Sequence, residues 1–174
     1  MRQHPFKLIT LIRQLTNQKT ENYRDLKNII LSQNFPWFYA DSLTGMDYFS
    51  HIFLERPESG EVPYQQVVSE HLNRVSFVVD EILKHNNIEY KFFIRSNANC
   101  VTPDNDVQLS EPHVDHDFPH INVLIYLTNS GGKTYCEDEF HDPKEDDVIL
   151  MTGEHWGERP KVGRRIILVN TLYT

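Results

Sequence analysis

The stretch EPHVDHDFPHINVLIYLT, Glu111 to Thr128, holds both halves of the reading. Its second half, Ile121 to Thr128, is β-branched and aromatic, the composition of a strand. Its first half is polar and carries His113, Asp115, His116, Asp117 and His120. In extended backbone, residues i and i+2 point to one face. His113 and Asp115 therefore aim one imidazole and one carboxylate at the same point.

Outward from this stretch the same period recurs. Tyr90 to Ile94 upstream, and Lys133 to Glu137, Val148 to Thr152 and Arg165 to Leu172 downstream, read as further strands. Turn chemistry separates them at Pro103 to Asp106, Asn129 to Gly132, His141 to Asp147 and Pro160 to Gly163. Short strands with polar turns predict an antiparallel sandwich or barrel.

Before about residue 88 the pattern is helical. Tyr23, Leu26, Ile29 and Ile30 recur at helical spacing, with Asn22 as the expected cap. Phe35 to Tyr39 reads as extended around Pro36. The clearest helix is expected from Pro63 to His85, where Val68, Leu72, Val75, Val79 and Ile82 share one face. Pro63 suits its first turn, and Asn86 and Asn87 its stop. The expected organisation is one domain over residues 1–174. A helical support region (1–88) would pack on one sheet of a β core (89–174) that carries the site.

Composition narrows the function classes. The 174 residues suffice for a core without staples, and 39% hydrophobic with 24% charged residues is ordinary globular usage. Seventeen Lys plus Arg against 25 Asp plus Glu give a net charge of −8, which opposes general nucleic-acid binding. Two cysteines, Cys100 and Cys136, are too few for a disulfide framework and read as free thiols of a reducing compartment. No run is apolar enough to span a membrane. The patch Leu8 to Ile12 is too short for a signal peptide, so a cytoplasmic location is expected. The acidic run Glu137, Asp138, Glu139, Asp142, Glu145, Asp146 and Asp147 reads as a solvated hairpin.

A metal needs a third ligand. His116, His120, His141 and His155 are the downstream candidates, and His155 follows the apolar run Val148 to Met151, where a strand would return it to the sheet. Two histidines and one carboxylate on one face suit non-haem Fe(II) with open positions. Arg165 shares strand parity with Ile167 and Val169. If that face is the interior, its cation is costly unless an anion meets it, and a guanidinium fork fits a carboxylate. Arg164 is the neighbour on the other face, and the two could exchange roles.

Taken together, His113-x-Asp115, His155 and Gly163-x-Arg165 resemble the 2-oxoglutarate- and Fe(II)-dependent oxygenases, in their prolyl-hydroxylase-like branch with its small phage and bacterial members. The likeness spans roughly Phe92 to Tyr173. It includes Ile125-Tyr126-Leu127-Thr128, Gly131-Gly132-Lys133-Thr134, Asp147 to Leu150 and Gly153-x-His155. The resemblance implies a mainly β fold, a double-stranded β-helix (jelly-roll or cupin-like barrel), with the N-terminal helices packed on one sheet. It implies His113, Asp115 and His155 on Fe(II), and Arg165 and Tyr126 on the far carboxylate of 2-oxoglutarate. Asn122, on the parity of Tyr126, is a further candidate for that pocket. Arg95 and Asn97 precede the first ligand and read more simply as strand-edge residues, while His116 and Asp117 read as solvated. The implied activity couples decarboxylation of 2-oxoglutarate to succinate and CO₂, with O₂ as oxidant and ascorbate as a candidate reductant, to hydroxylation of a substrate C–H. The substrate expected is a prolyl residue in a peptide or protein, or an amino-acid-like small molecule, flanked by the segments Gly45 to Gly60 and Ser96 to Ser110. The location implied is the cytoplasm of a bacterium, or of the host of a phage. A cupin-type metal enzyme without 2-oxoglutarate and a non-catalytic jelly-roll binding module are the competing readings.

Overall fold

A computed structural model describes residues 12–40, 45–56, 65–105 and 109–174. Its backbone is built on strand β6 (His120–Tyr126), whose hydrogen bonds run to a partner on either side: β11 (Arg165–Tyr173) and β9 (Val148–Met151). β6 is buried almost throughout because both of its faces are covered. The large antiparallel sheet extends from there to β5 (Phe92–Val101), β3 (Tyr48–Glu55) and β2 (Phe38–Ala40) on one flank. It extends to β1 (Arg13–Leu15) on the other, in the order β1-β9-β6-β11-β5-β3-β2, with β4 (Gln66–Val67) attached to β3. The second sheet has the order β10 (His155–Gly157), β7 (Thr134–Cys136), β8 (Glu139–His141). Bridges Leu109–Glu158 and His113–His155 lay the ligand segment along β10 as a further rung.

Strand parity sorts the side chains into two cores. Val123 and Ile125 of β6, and Ile166, Leu168 and Leu172 of β11, face the helices and pack on Tyr23, Leu26 and Ile30 of α1 (Glu21–Leu31) and on Val75, Val79 and Ile82 of α2 (Leu72–His85). Leu124, Tyr126, Ile149, Met151 and Ile167 point the other way, into the smaller core with Cys136. The interior face expected for Ile167 and Val169 is thus the inside of the double-stranded β-helix, with the helices on the outside of one sheet. Cys100 and Cys136 are buried free thiols. No helix among the described residues is long and apolar enough to cross a membrane.

The support region differs from its expected form. Among the described residues it holds four strands as well as two helices, and β3 is a full member of the large sheet. The helical period over Val68 to Ile82 holds only from Leu72. Val67 and Val68 are exposed beside β4, where Val68 N–H donates to Phe53 O. Pro63 lies outside the described residues. Thr20, not Asn22, caps α1: its hydroxyl accepts from Tyr23 N–H, while the Asn22 amide reaches across to Glu81. The expected stop of α2 stands, with Asn86 N–H bonded back to the last turn and Asn87 at φ 55°.

The acidic run is not simply solvated. Asp146, at positive φ, accepts from the Tyr23 hydroxyl at 2.6 Å and pairs with Lys27 and Lys19. Asp147 pairs with His141 and Gln14, and Glu139 accepts from Ile12 N–H. The turn between β8 and β9 is thereby tied to α1.

Candidate active site

His113 and His155 face each other across a narrow antiparallel rung. Each backbone N–H donates to the other's carbonyl, at 3.1 and 2.9 Å, and the two rings lie 4.5 Å apart. Asp115, two residues on, presents its carboxylate to the same point. One ligand atom from each of His113, Asp115 and His155 falls within 4.8 Å of the others. Among the described residues this is the one such group.

The chemistry of the donors suits a metal. His113 Nδ1 meets Glu111 O and His155 Nδ1 meets Gly153 O, both at 3.0 Å. A carbonyl cannot donate, so each Nδ1 carries a proton, the tautomer that in a neutral ring leaves Nε2 as the metal-facing lone pair. Burial pulls the His155 imidazole below its ordinary pKa, more than the Asp115 charge lifts it. Burial pushes the Asp115 carboxyl up, but the facing Arg95 and the Asn122 amide help bring it below its ordinary value. Neutral imidazoles and an ionised carboxylate are the forms that bind a cation.

Two side chains orient Asp115. Arg95 Nη1 donates to Oδ1 at 3.3 Å, and Asn122 Nδ2 donates to Oδ2 at 2.8 Å while Thr171 donates to the Asn122 carbonyl. Arg95 is therefore not an edge residue; it stands on the cavity side of β5 and lines the cavity. Asn122, expected at the co-substrate, spends both ends of its amide on Asp115 and Thr171. Asn97 is buried on the same strand as Arg95 and donates to Asn99. Of the two residues expected to be solvated, Asp117 is exposed, but His116 is half-buried and stacks on Phe118.

The triad opens into a cavity of about 540 Å³, within the usual range of ligand sites. At its inner end lies Arg165, 8% exposed. Arg165 Nη1 donates to Glu158 O at 2.6 Å and Nη2 to Thr134 Oγ1 at 3.3 Å, while Nε has no partner. No carboxylate among the described residues pairs with it. Arg164 is exposed and outside the cavity, so of the two arginines it is Arg165 that faces it. Tyr126 is fully buried and its hydroxyl meets Thr134 Oγ1 at 2.6 Å, with its ring 6.0 Å from the Arg165 guanidinium carbon. Thr134, not Tyr126, reaches the cavity wall. Thr134 was within the quoted Gly-Gly-Lys-Thr turn, but only its place opposite Arg165 gives it a role.

Two glycines shape this end. A Cβ on Gly157 would sit 3.2 and 3.3 Å from the Arg165 nitrogens, so glycine leaves the guanidinium its room. A Cβ on Gly132, at φ 86°, would lie 2.6 Å from Glu158 O, the carbonyl that holds Arg165. Of the segments expected to flank the mouth, the first is largely strand β3. Tyr48 and Met46 line the cavity, Phe53 is core, Phe49 is half-exposed, and Pro57 to Gly60 lie outside the described residues.

Comparison with known proteins agrees with this architecture. No family model matches the sequence, and no curated protein matches it. Solved structures do. An oxidoreductase of the 2OG-Fe(II) oxygenase family from Burkholderia pseudomallei superposes with TM-score 0.59 at 17% identity, covering 86% of this chain and 76% of its own. A prolyl hydroxylase from Trichoplax adhaerens, in complex with a hypoxia inducible factor peptide fragment, gives 0.60 at 12% identity, covering 93% and 83%. A Pseudomonas putida prolyl-4-hydroxylase gives 0.55 at 12%, covering 95% and 94%. The chain has the double-stranded β-helix fold of the 2OG-Fe(II) oxygenases. Likeness at this level speaks for the fold; activity must be argued from the site.

Proposed function

We propose that the protein is an Fe(II)- and 2-oxoglutarate-dependent oxygenase that hydroxylates a substrate C–H. The observation that carries this reading is Arg165: a guanidinium buried at the inner end of a cavity, without a carboxylate partner, across from two imidazoles and a carboxylate that converge on one point. A buried unpaired cation is stable only where an anion meets it. A 2-oxo diacid spans the two features, with its keto-acid end at the triad and its far carboxylate on Arg165 and Thr134.

His113, Asp115 and His155 would hold Fe(II), leaving open positions for ligands from solution. Bound there, the metal supplies the oxidising chemistry that couples decarboxylation of 2-oxoglutarate to oxygen insertion. The chain's own residues do the rest. Arg95 and Asn122 fix the carboxylate ligand, the carbonyls of Glu111 and Gly153 fix the imidazole tautomers, and Thr134 passes the Tyr126 hydroxyl's support to the co-substrate end. Met151, Ile167 and Val169 line the cavity with hydrocarbon and exclude water. A prolyl residue in a peptide, or an amino-acid-like small molecule, is the substrate class we favour. The cupin-type reading accounts poorly for an arginine without a carboxylate partner in the same cavity as the triad, and a binding module has no use for the intact donor set.

The test is spectroscopic. Anaerobic addition of Fe(II) and 2-oxoglutarate should produce a visible metal-to-ligand charge-transfer band. The band should weaken in Arg165→Ala at limiting 2-oxoglutarate and persist in Arg164→Ala. A band unchanged in both variants would sink the co-substrate assignment.

A further inference from the structure

The second sheet turns one face to the cavity and lays a row of rings on the other. His155 and Gly157 of β10 and Thr134 of β7 line the cavity. Alternation therefore sends Trp156 and Tyr135, which are register partners, to the opposite face. Phe140 of β8 pairs with Tyr135 and continues the row. The Trp156 and Tyr135 rings are parallel with centroids 5.4 Å apart, and Phe140 follows Tyr135 at 6.1 Å. Phe140 is 57% exposed, and the other two are half-buried. At the far end the antiparallel His113–His155 bridge sets Pro112 beside Trp156, at the cavity rim.

The row is flanked by acids. Glu137 and Asp138, in the turn from β7 to β8, and Glu154, just before β10, are all exposed, and each stands two residues along the chain from a ring of the row. Glu137 N–H donates to Glu154 O, which keeps the three acids at one end of the strands. The single base beside them is Lys133, whose ammonium already stands 4.3 Å from the centre of the Phe140 ring.

We propose that this row is a docking surface for an extended, arginine-bearing segment of a partner polypeptide. Aromatic rings attract cations, arginine most often, and carboxylates take its guanidinium fork. The steps between rings are close to the roughly 6.6 Å between alternate side chains of an extended chain, so such a segment meets successive rings with successive arginines. The cavity itself, with Arg95 and Arg165 in its wall, repels that segment, which leaves the row as its place. A second copy of this chain would set Glu137, Asp138 and Glu154 against like charges, and an anionic lipid surface meets the same repulsion.

The test is fluorescence anisotropy with a labelled Gly-Arg-Gly-Arg-Gly-Arg-Gly peptide and its counterpart with Gln in place of Arg. The full chain is used with Zn(II) added, so that Asp115 is engaged. The arginine peptide should bind at least about tenfold more tightly than the glutamine peptide, the range of charge-assisted pairing. Tyr135→Leu should weaken it about two- to fivefold, the loss of one cation–ring contact. Glu154→Gln should weaken it as well, while Glu89→Gln, the same charge change at an exposed position in the loop after α2, should not. Equal losses in Glu154→Gln and Glu89→Gln would mean attraction to the net charge alone and overturn the surface. So would an arginine peptide that binds no better than its counterpart, or an affinity unchanged in both Tyr135→Leu and Phe140→Leu. Dimers in sedimentation of the protein alone that dissociate in Phe140→Glu would give the row to a second copy and overturn the peptide.

Discussion

Replacing Arg165 with methionine separates a ligand-binding cation from a structural one, because the two roles predict opposite signs. In the free protein the guanidinium is 8% exposed and meets no carboxylate; its partners are one carbonyl and one hydroxyl. Methionine leaves Glu158 O without a donor, at a cost of about 1 kcal/mol, while Thr134 keeps the Tyr126 hydroxyl. Against this stands the relief of an uncompensated buried charge, where hydrophobic replacement is neutral or stabilising by about 1–4 kcal/mol. Arg165→Met without ligand should therefore melt no lower than wild type. With ligand the order reverses. At 2-oxoglutarate a hundredfold above its Kd, wild type gains about 2.7 kcal/mol, or about 5–11 °C in a chain of this size. Loss of a charge-assisted fork weakens binding about ten- to a hundredfold, so the variant should gain only about 1–6 °C at the same concentration. The assay is thermal melting with Zn(II), with and without 2-oxoglutarate. A variant that melts well below wild type without ligand and keeps the full ligand shift would refute the reasoning, because Arg165 would then be a brace of the fold.

Three further outcomes follow from the geometry. His155→Ala should abolish Fe(II)-dependent conversion of 2-oxoglutarate to succinate while the circular-dichroism spectrum stays unchanged, since the imidazole lines the cavity rather than either hydrocarbon core. Wild-type turnover in that variant would remove His155 from the site. Gly157→Ala should raise the KM for 2-oxoglutarate about tenfold with little change in Tm, because its Cβ crowds the Arg165 nitrogens by a few tenths of an ångström; an unchanged KM would show that Arg165 has room to yield. Acid stability should depend on Asp146. Burial pushes its carboxyl up, but hydrogen bonds from Lys27, Tyr23 and Lys19 outweigh this and bring it from 3.8 to about 2. A depressed carboxyl stabilises the fold above pH 3.8, and the contribution is lost as pH falls towards 2. Linkage gives about 2.5 kcal/mol at full strength, and nearer 1 kcal/mol for a site that water reaches. Asp146→Asn should thus be less stable than wild type in urea at pH 6 and converge with it at pH 2; a gap that persists at pH 2 would mean the loss is not electrostatic.

What could be read from the sequence is what strand parity carries. His113 with Asp115, and Arg165 with Ile167 and Val169, share faces because alternation is a local property of extended backbone. The fold places those faces as parity requires. The elements misread are those where a local pattern meets a distant partner. Val68 continues a helical period, yet Val68 N–H pairs with Phe53 O on β3, and that bond belongs to a strand. Asn22 has the chemistry of a cap, but Glu81 on the other helix claims its amide and leaves the cap to Thr20. The acidic run looks solvated because one lysine within it, Lys144, cannot balance its seven acids; the cations that pair with Asp146 come from the far end of the chain, Lys27 on α1 and Lys19 just before it.

The site residues divide along the same line. Parity names a face but not a depth along the side chain. Tyr126 does point inward, yet what stands in front of its hydroxyl is Thr134, supplied by the other sheet. Asn122 also points inward, and Asp115, supplied by the rung beside β10, takes its amide before any ligand could. In both cases the residue that intercepts the side chain comes from the opposite wall of the double-stranded β-helix. A residue one layer back then acts through the one in front. Tyr126→Phe should accordingly weaken 2-oxoglutarate binding less than Thr134→Val does, because the phenol only orients the threonine hydroxyl whereas valine removes it. Affinities measured by the charge-transfer band decide the order, and the reverse order would return Tyr126 to direct contact with the co-substrate.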